Sequence, residues 1–321
     1  MESNDNTMEN TQTEVEKVDK SEKKKPKRKF KDTILFLYGE ACILVLVGQI
    51  MGAFLIGIMS GAVPALRESD VWLTGGMYVM FIGIWAMALL RIGLSKRNRP
   101  ILRVVGTKPE GNNWLLLLFG ILIGFGLNGL CILIAWLNKD IDLYFDSFRP
   151  LPLVFIFITV FIQSSAEELI CRGYLFQKLR KSYQKPAVAI VGNSLLFAIL
   201  HLGNEGVTVL SLLNIFLVGM FCSLVVYYMD SLWCAFAIHT AWNFTQNILF
   251  GLPNSGVVVP FSVFKLDAST AQNSFAYNVG FGIEGTIVAD VVFLLGCVIL
   301  FLWGKKYGKK PYDVWAEETE A

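Results

Sequence analysis

Long apolar segments dominate this sequence and restrict the folds that are open to it. A helix that crosses a bilayer needs about 20 mostly apolar residues, and its backbone polar groups must be satisfied within the helix. Eight segments meet this requirement, at approximately residues 33–62, 72–94, 114–137, 151–179, 186–202, 208–229, 231–250 and 286–304. The sequence therefore predicts an all-α, polytopic membrane protein with about eight transmembrane helices.

The composition agrees with a membrane protein. Only 17% of the 321 residues are charged, whereas a soluble domain carries about 25%. The cysteines have no zinc-ligand spacing and lie within the apolar segments, so we expect them to be small packing residues. They are Cys42, Cys131, Cys171, Cys222, Cys234 and Cys297.

Basic residues predict the orientation and the domain boundaries. The tail before the first span is lysine-rich, and SKRNRPILRVVGTKPEG, KLRKSYQK and GKKYGKK are also basic, whereas alternate loops such as NKDIDLYFDS are acidic or neutral. Because basic loops remain in the cytoplasm, both termini should be cytoplasmic. We expect a disordered basic tail at 1–32, a membrane domain at 33–304 and a second cytoplasmic tail at 305–321. We expect the lysines of the first tail to contact anionic lipid. We do not expect them to bind nucleic acid, because no aromatic residue lies between them.

Charged residues inside the span 151–179 point to a buried functional site. Glu167, Glu168 and Arg172 lie there, although one ionised side chain near the bilayer centre costs about 2.5–3.5 kcal/mol. Glu168 and Arg172 are four residues apart, so they face the same side of a helix and can pair. Two other spans carry polar stripes at the same spacing: Asn193, Phe197 and His201, and His239, Asn243 and Asn247. Because polar side chains in membrane helices usually face the protein interior, we expect the three stripes to meet there.

Several other features leave two interpretations open. Glu40 and Asp290 have no polar partner at helical spacing, so packing or exposure at the membrane interface is expected for each. Gly120 and Gly124 have the spacing that lets two membrane helices approach closely. The outer loop 251–285 could be a lid that faces substrate or a tolerated insertion.

The polar residues suit peptide hydrolysis, although two other uses remain open. Hydrolysis needs a base that activates water and donors for the oxyanion, which a glutamate, two histidines and an asparagine can supply. Glu167, His201 and His239 could instead ligate zinc, but no H-E-x-x-H motif is present. A serine nucleophile is less attractive, because no G-x-S-x-G elbow surrounds Ser164 and Ser165. In the simplest alternative, Glu168 and Arg172 form an internal ion pair and the histidines only join helices.

Three ordered motifs resemble those of a known family. EELICR fits E-E-x-x-x-R, FAILH fits F-x-x-x-H and HTAWN fits H-x-x-x-N. Residues 151–250 therefore resemble the CPBP (Abi) intramembrane proteases, which are related to type 2 CAAX prenyl endopeptidases. The resemblance implies that Glu167 is the general base with His201, that His239 and Asn243 form the oxyanion hole, and that Glu168 and Arg172 orient the site or substrate.

The resemblance also implies the reaction and its setting. We expect an endopeptidase, in a bacterial plasma membrane, that cleaves membrane-associated or lipidated proteins or peptides. No cofactor is required in the favoured interpretation, and zinc at Glu167, His201 and His239 is the alternative. A non-catalytic scaffold or transporter that inherited the polar site is a hypothesis of another class. Transporters show paired halves with matching broken helices, and the sequence shows no such repeat.

Overall fold

The computed structural model of the protein describes residues 29–183, 185–309 and 311–316. About 70% of the described residues are helical, which confirms the predicted all-α class. The predicted tail 1–32 lies outside the described residues except for 29–32, as does 317–321 of the second tail. The helices are α1 Ile34–Ala62, α2 Asp70–Val79, α3 Ile82–Gly93, α4 Leu102–Val105, α5 Trp114–Leu137, α6 Pro150–Glu168, α7 Phe176–Ser182, α8 Pro186–Leu200, α9 Val209–Tyr228, α10 Leu232–Asn243 and α11 Ile287–Tyr307.

Short elements complete the chain. Two π-helical segments, Leu169–Leu175 and Phe244–Leu249, continue α6 and α10. Two strands, β1 Leu143–Phe145 and β2 Phe264–Leu266, pair antiparallel with Tyr144 opposite Lys265. Single 3-10 turns occupy Phe30–Asp32, Pro64–Glu68, Arg99–Ile101 and Ile283–Gly285.

Six helical segments of the described chain are long and apolar enough to cross a membrane, compared with about eight in the sequence-based prediction. They are Ile34–Ala62, Asp70–Gly93, Trp114–Leu137, Pro150–Ser182, Val209–Tyr228 and Ile287–Tyr307. The other two predicted spans contain α8, with 15 residues, and α10, with 12. Helix α10 is buried along nearly its whole length, so other helices rather than lipid surround it.

Small residues allow the close packing of α10. Its neighbour α5 presents Gly120 and Gly124, and a Cβ at these positions would lie only 2.9 Å from Ala237 Cβ and 2.7 Å from Ala241 Cβ. These distances are shorter than side chains tolerate, so the two backbones approach closely only because both positions are glycine. The structure therefore confirms the predicted close approach at this glycine pair.

The π-helical segments each follow directly after predicted site residues. One begins after Glu168 and the other after Asn243. A π-helical turn changes the helical register, and such turns are frequent at functional sites. Asn247 donates to the carbonyl oxygens of Leu252 and Val257, at 2.8 and 3.0 Å. It therefore anchors residues 251–285, which form the outer segment.

Glu40 and Asp290 have different surroundings. Glu40 pairs with Arg91 of α3 and accepts a 2.6 Å hydrogen bond from Lys178 Nζ of α7. Glu40 therefore joins α1 to two neighbouring segments by ion pairs, and helical spacing within one span could not show these partners. Asp290 lies in the first turn of α11 and is buried, with 7% of its surface exposed, so it is a packing position rather than an interfacial one.

A glycine contact between α1 and the turn that joins α2 to α3 generates a stability prediction. A Cβ at Gly52 would overlap the backbone of Met80, whereas a Cβ at Gly57 of the same helix meets nothing within 4 Å. We expect Gly52→Ala to destabilise the protein by about 1–3 kcal/mol through overpacking. Gly57→Ala should be neutral or stabilising, because alanine favours a helix. Thermal unfolding in detergent measures both, and equal melting temperatures would contradict the packing account.

Candidate active site

The predicted catalytic residues line one internal cavity of about 590 Å³. Glu167 comes from α6, His201 follows α8, and His239 and Asn243 come from α10. The remaining wall is largely apolar and comes mainly from α1, α2, α3 and α9. The structure therefore brings three separate sequence motifs to the edge of one apolar space.

The two carboxylate oxygens of Glu167 have different surroundings. Oε1 accepts a 2.6 Å hydrogen bond from Gln163 Nε2, one helical turn earlier. Oε2 is buried, lies 3.8 Å from His239 Nε2 and has no hydrogen-bond partner within the described part of the chain. One oxygen therefore fixes the side chain, and the other is left without a hydrogen-bond partner within the described residues.

Glu168 links the arginine to the histidine of α10. Its Oε1 accepts from Arg172 at 2.8 Å, which confirms the predicted pair, and lies 3.0 Å from His239 Nδ1. The Glu168 and Arg172 side chains are fully buried, with 0% exposure. Because the carboxylate accepts from Arg172 and can accept from His239, Nδ1 of the imidazole carries a hydrogen. Nε2 is then the nitrogen that faces Glu167.

Arg172 has partners besides Glu168. It donates to the carbonyl oxygen of Gly219 on α9 at 3.0 Å, and its guanidinium lies 4.6 Å from the centre of the Phe197 ring. A buried arginine needs several such contacts, because its charge has left water. The arginine thereby joins α6, α8 and α9 around the site.

Phe197 also orders the two histidines. Its ring contacts His201 and His239 edge-on, with centroids 4.7 and 5.9 Å away. His201 Nδ1 lies 2.8 Å from the Phe197 carbonyl oxygen. Since a carbonyl can only accept, Nδ1 is the donor, and Nε2 of a neutral His201 keeps its lone pair. This tautomer can take a proton.

Gln163 is a site residue that sequence reasoning missed. Besides holding Glu167, it accepts a 3.0 Å hydrogen bond from Asn243 Nδ2, which also lies 3.3 Å from Ser164 Oγ. The available signal was its spacing, four residues before Glu167 in an apolar span. Ser164 donates to Gln163 and Ser165 accepts from Trp85, so both serines have structural partners.

Asn193, which was predicted to lie on one stripe with His201, makes contacts between two helices. It donates to Ser223 and to backbone oxygens of α8, so its contacts join α8 to α9.

The predicted zinc ligands were a separate question. No group of three or more His, Cys, Asp or Glu side chains in the described residues is arranged to hold a metal ion. Glu167, His201 and His239 line the cavity together but do not form such a group.

A comparison with protein families identifies the segment that carries the motifs. Residues 149–245 match the family model of the type II CAAX prenyl endopeptidase Rce1-like proteins. This segment is similar to the Rce1-like proteins. The match confirms the family resemblance that the three motifs indicated. It supports an intramembrane CAAX-type endopeptidase at family level. No curated protein and no solved structure matches the chain.

The match to the Rce1-like family covers 97 of the 321 residues. It begins just before α6 and ends in the second π-helical segment, so it includes all six motif residues. Helices α1 to α5, the outer segment and α11 lie outside it. Much of the apolar cavity wall therefore comes from parts of the chain that the family match does not cover.

The buried pair of Glu168 and Arg172 generates a double-mutant prediction. Glu168→Ala leaves the arginine buried without its carboxylate, so we expect a loss of about 3–5 kcal/mol. Adding Arg172→Ala should recover part of this stability because the unpaired charge is removed. Activity should stay low in both, because His239 Nδ1 has lost its partner in each. Thermal unfolding in detergent measures the coupling, and strictly additive losses would show that the two side chains do not interact.

Proposed function

We propose that the protein is an intramembrane endopeptidase that uses Glu167 to activate water. The observation that carries this proposal is the free Oε2 atom of Glu167, which lies at the cavity beside His239 Nε2. A general base needs an oxygen within hydrogen-bond reach of water, in a defined orientation. The hydrogen bond from Gln163 to the other oxygen supplies that orientation.

In the proposed reaction, water attacks the carbonyl carbon of a peptide bond and gives a proton to Glu167. His201 assists, because its Nε2 lone pair can accept a proton. The carbonyl oxygen becomes an oxyanion, which His239 and Asn243 stabilise by donating hydrogen bonds. His239 donates from Nε2 only as an imidazolium, because Glu168 occupies Nδ1. Glu168 and Arg172 orient the histidine, and the proton passes to the leaving amine as the bond breaks.

The cavity wall supports a membrane-associated or lipidated protein or peptide as the substrate. Leu46 of α1 and Met77 of α2 line the cavity and have 60% and 40% of their respective surfaces exposed. A largely apolar wall with exposed side chains favours a substrate that carries apolar groups. A lipid chain or an apolar transmembrane residue could occupy the wall while the peptide bond meets Glu167.

The donor set does not fit a resident zinc ion. Catalytic zinc takes three protein ligands at about 2.0–2.2 Å. The described residues contain no group of three or more His, Cys, Asp or Glu side chains arranged to hold a metal ion. The glutamate mechanism is therefore the preferred form of the proposal.

Substitutions of Glu167 and His201 test the proposal. Glu167→Gln keeps the side-chain volume but removes the base, and His201→Ala removes its assistant, so each should abolish hydrolysis while the protein stays folded. The measurement is cleavage of lipidated reporter peptides by purified protein in vesicles. Glu110→Gln, at an exposed ion pair, is the matched control and should cleave at the wild-type rate. Wild-type cleavage by Glu167→Gln would show that Glu167 is not the base.

The same preparations test the metal alternative. We expect the active wild-type protein to contain no stoichiometric zinc and to keep its activity in a chelator. Stoichiometric zinc, with activity lost to the chelator and restored by zinc, would replace the glutamate mechanism. A wild-type protein that binds the reporter peptides but never cleaves them would support the scaffold hypothesis instead.

A further inference from the structure

The outer segment, residues 251–285, borders the same cavity as the proposed catalytic residues. Asn254, Ser255 and Glu284 line it together with Glu167 and Asn243. The segment begins after the Rce1-like match, which ends at residue 245. None of the three motifs includes it, so its polar contacts need a separate account.

Glu284 is the centre of these contacts and is buried, with 6% of its surface exposed. Its Oε2 accepts from the backbone N and the Oγ of Ser255, at 2.7 and 2.6 Å. Its Oε1 accepts from Trp242 Nε1 at 3.0 Å and from Asn254 Nδ2 at 3.4 Å. One carboxylate thus holds two adjacent residues of the outer segment against α10.

Asn254 links the contacts of Glu284 to the proposed catalytic residues. Its Nδ2 donates to Asn243 Oδ1 at 3.2 Å. Asn243 Nδ2 in turn donates to Gln163, and Gln163 donates to Glu167. An uninterrupted path of side-chain hydrogen bonds therefore runs from the outer segment to the proposed base.

The backbone of the outer segment is built for these contacts. Ser255 has φ of +48°, a conformation that non-glycine residues adopt only when surrounding contacts impose it. Its two hydrogen bonds to Glu284 are such contacts. Gly282 has φ of +86°, and a Cβ there would overlap the Pro253 carbonyl oxygen and lie 2.9 Å from Gln246 Nε2. A glycine at this position lets the chain pass close to Pro253 and to the π-helical segment after α10, two residues before Glu284.

We propose that Asn254 and Glu284 are positioning residues that orient the Asn243 amide for catalysis. An asparagine amide can present either its oxygen or its NH₂ group to a site, and only the NH₂ group stabilises an oxyanion. Asn254 occupies the oxygen of Asn243, and Glu284 holds Asn254 in place. The NH₂ group must then face Gln163 and Ser164, at 3.0 and 3.3 Å, and in the proposed reaction the oxyanion takes the place of the longer contact to Ser164. In this proposal the outer segment contributes residues that position the site.

This inference rests on the proposed function for its kinetic test. Asn254→Ala and Glu284→Gln should each lower kcat about tenfold or more and leave KM within about twofold. The loss should stay below the roughly 10²–10³-fold loss for removing an oxyanion donor itself. Glu284→Asp keeps both acceptor oxygens and should retain more activity than Glu284→Gln.

Asn128→Leu is the matched control. Asn128 of α5 donates to Gln246 Oε1 at 2.9 Å, and Gln246 holds the outer segment through the Pro253 carbonyl oxygen. The substitution loosens the same segment without touching Asn243, Asn254 or Glu284. Its kcat should stay near the wild-type value. A kcat loss in Asn128→Leu equal to that in Asn254→Ala would show that segment stability, not amide orientation, controls the rate.

A second measurement does not depend on activity. The side-chain amide signal of Asn243 can be identified in protein labelled with ¹⁵N-asparagine, because it disappears in Asn243→Ala. We expect this signal to shift or broaden in Asn254→Ala and Glu284→Gln and to stay unchanged in Asn128→Leu. An unchanged signal in Asn254→Ala would overturn the inference, even if the enzyme is active. If the wild-type protein cleaves nothing, the hydrolase proposal fails, and this signal still decides the positioning role.

Discussion

The Glu168 carboxylate is the interaction on which the site depends. It is fully buried, and one of its oxygens meets both Arg172 and His239. A buried charge is tolerated only when it is paired and hydrogen-bonded, so these groups must assemble together. Arg172 extends the pairing to the carbonyl oxygen of Gly219 and the ring of Phe197. The electrostatic requirement of one carboxylate thereby fixes the relative positions of α6, α8, α9 and α10.

The helices around this pairing separate the polar site from the apolar outer surface of the protein. Helix α10 is surrounded by protein, since Gly120 and Gly124 let α5 pack directly on its backbone. The longer outer helices present apolar residues such as Leu46 to the exterior. Polar chemistry is therefore enclosed by protein within an apolar shell, where hydrogen bonds and charges act more strongly than in water. In the proposed reaction, this setting strengthens both water activation by Glu167 and oxyanion binding.

Long apolar segments predicted the all-α class, and helical spacing within single spans predicted the pairing of Glu168 with Arg172 and the Gly120–Gly124 contact. Spacing within one span could not show partners on other helices, such as Lys178, which pairs with Glu40. It also assumed a regular helix after His239, and the π-helical segment at Phe244–Leu249 breaks that assumption for Asn247. Gln163 and Glu284 were missed because single polar residues carry no motif until the fold brings them beside Glu167 and Asn254.

Direct attack by water is the central claim, and the mass of the enzyme during one turnover tests it. Excess protein is mixed with a cleavable lipidated peptide in H₂¹⁸O, quenched in acid at successive times and weighed intact. The account predicts that the protein mass never changes and that the new peptide carboxylate contains one ¹⁸O atom. A transient increase equal to the acyl half of the peptide would contradict it, because a side chain such as Ser164 would then be the nucleophile.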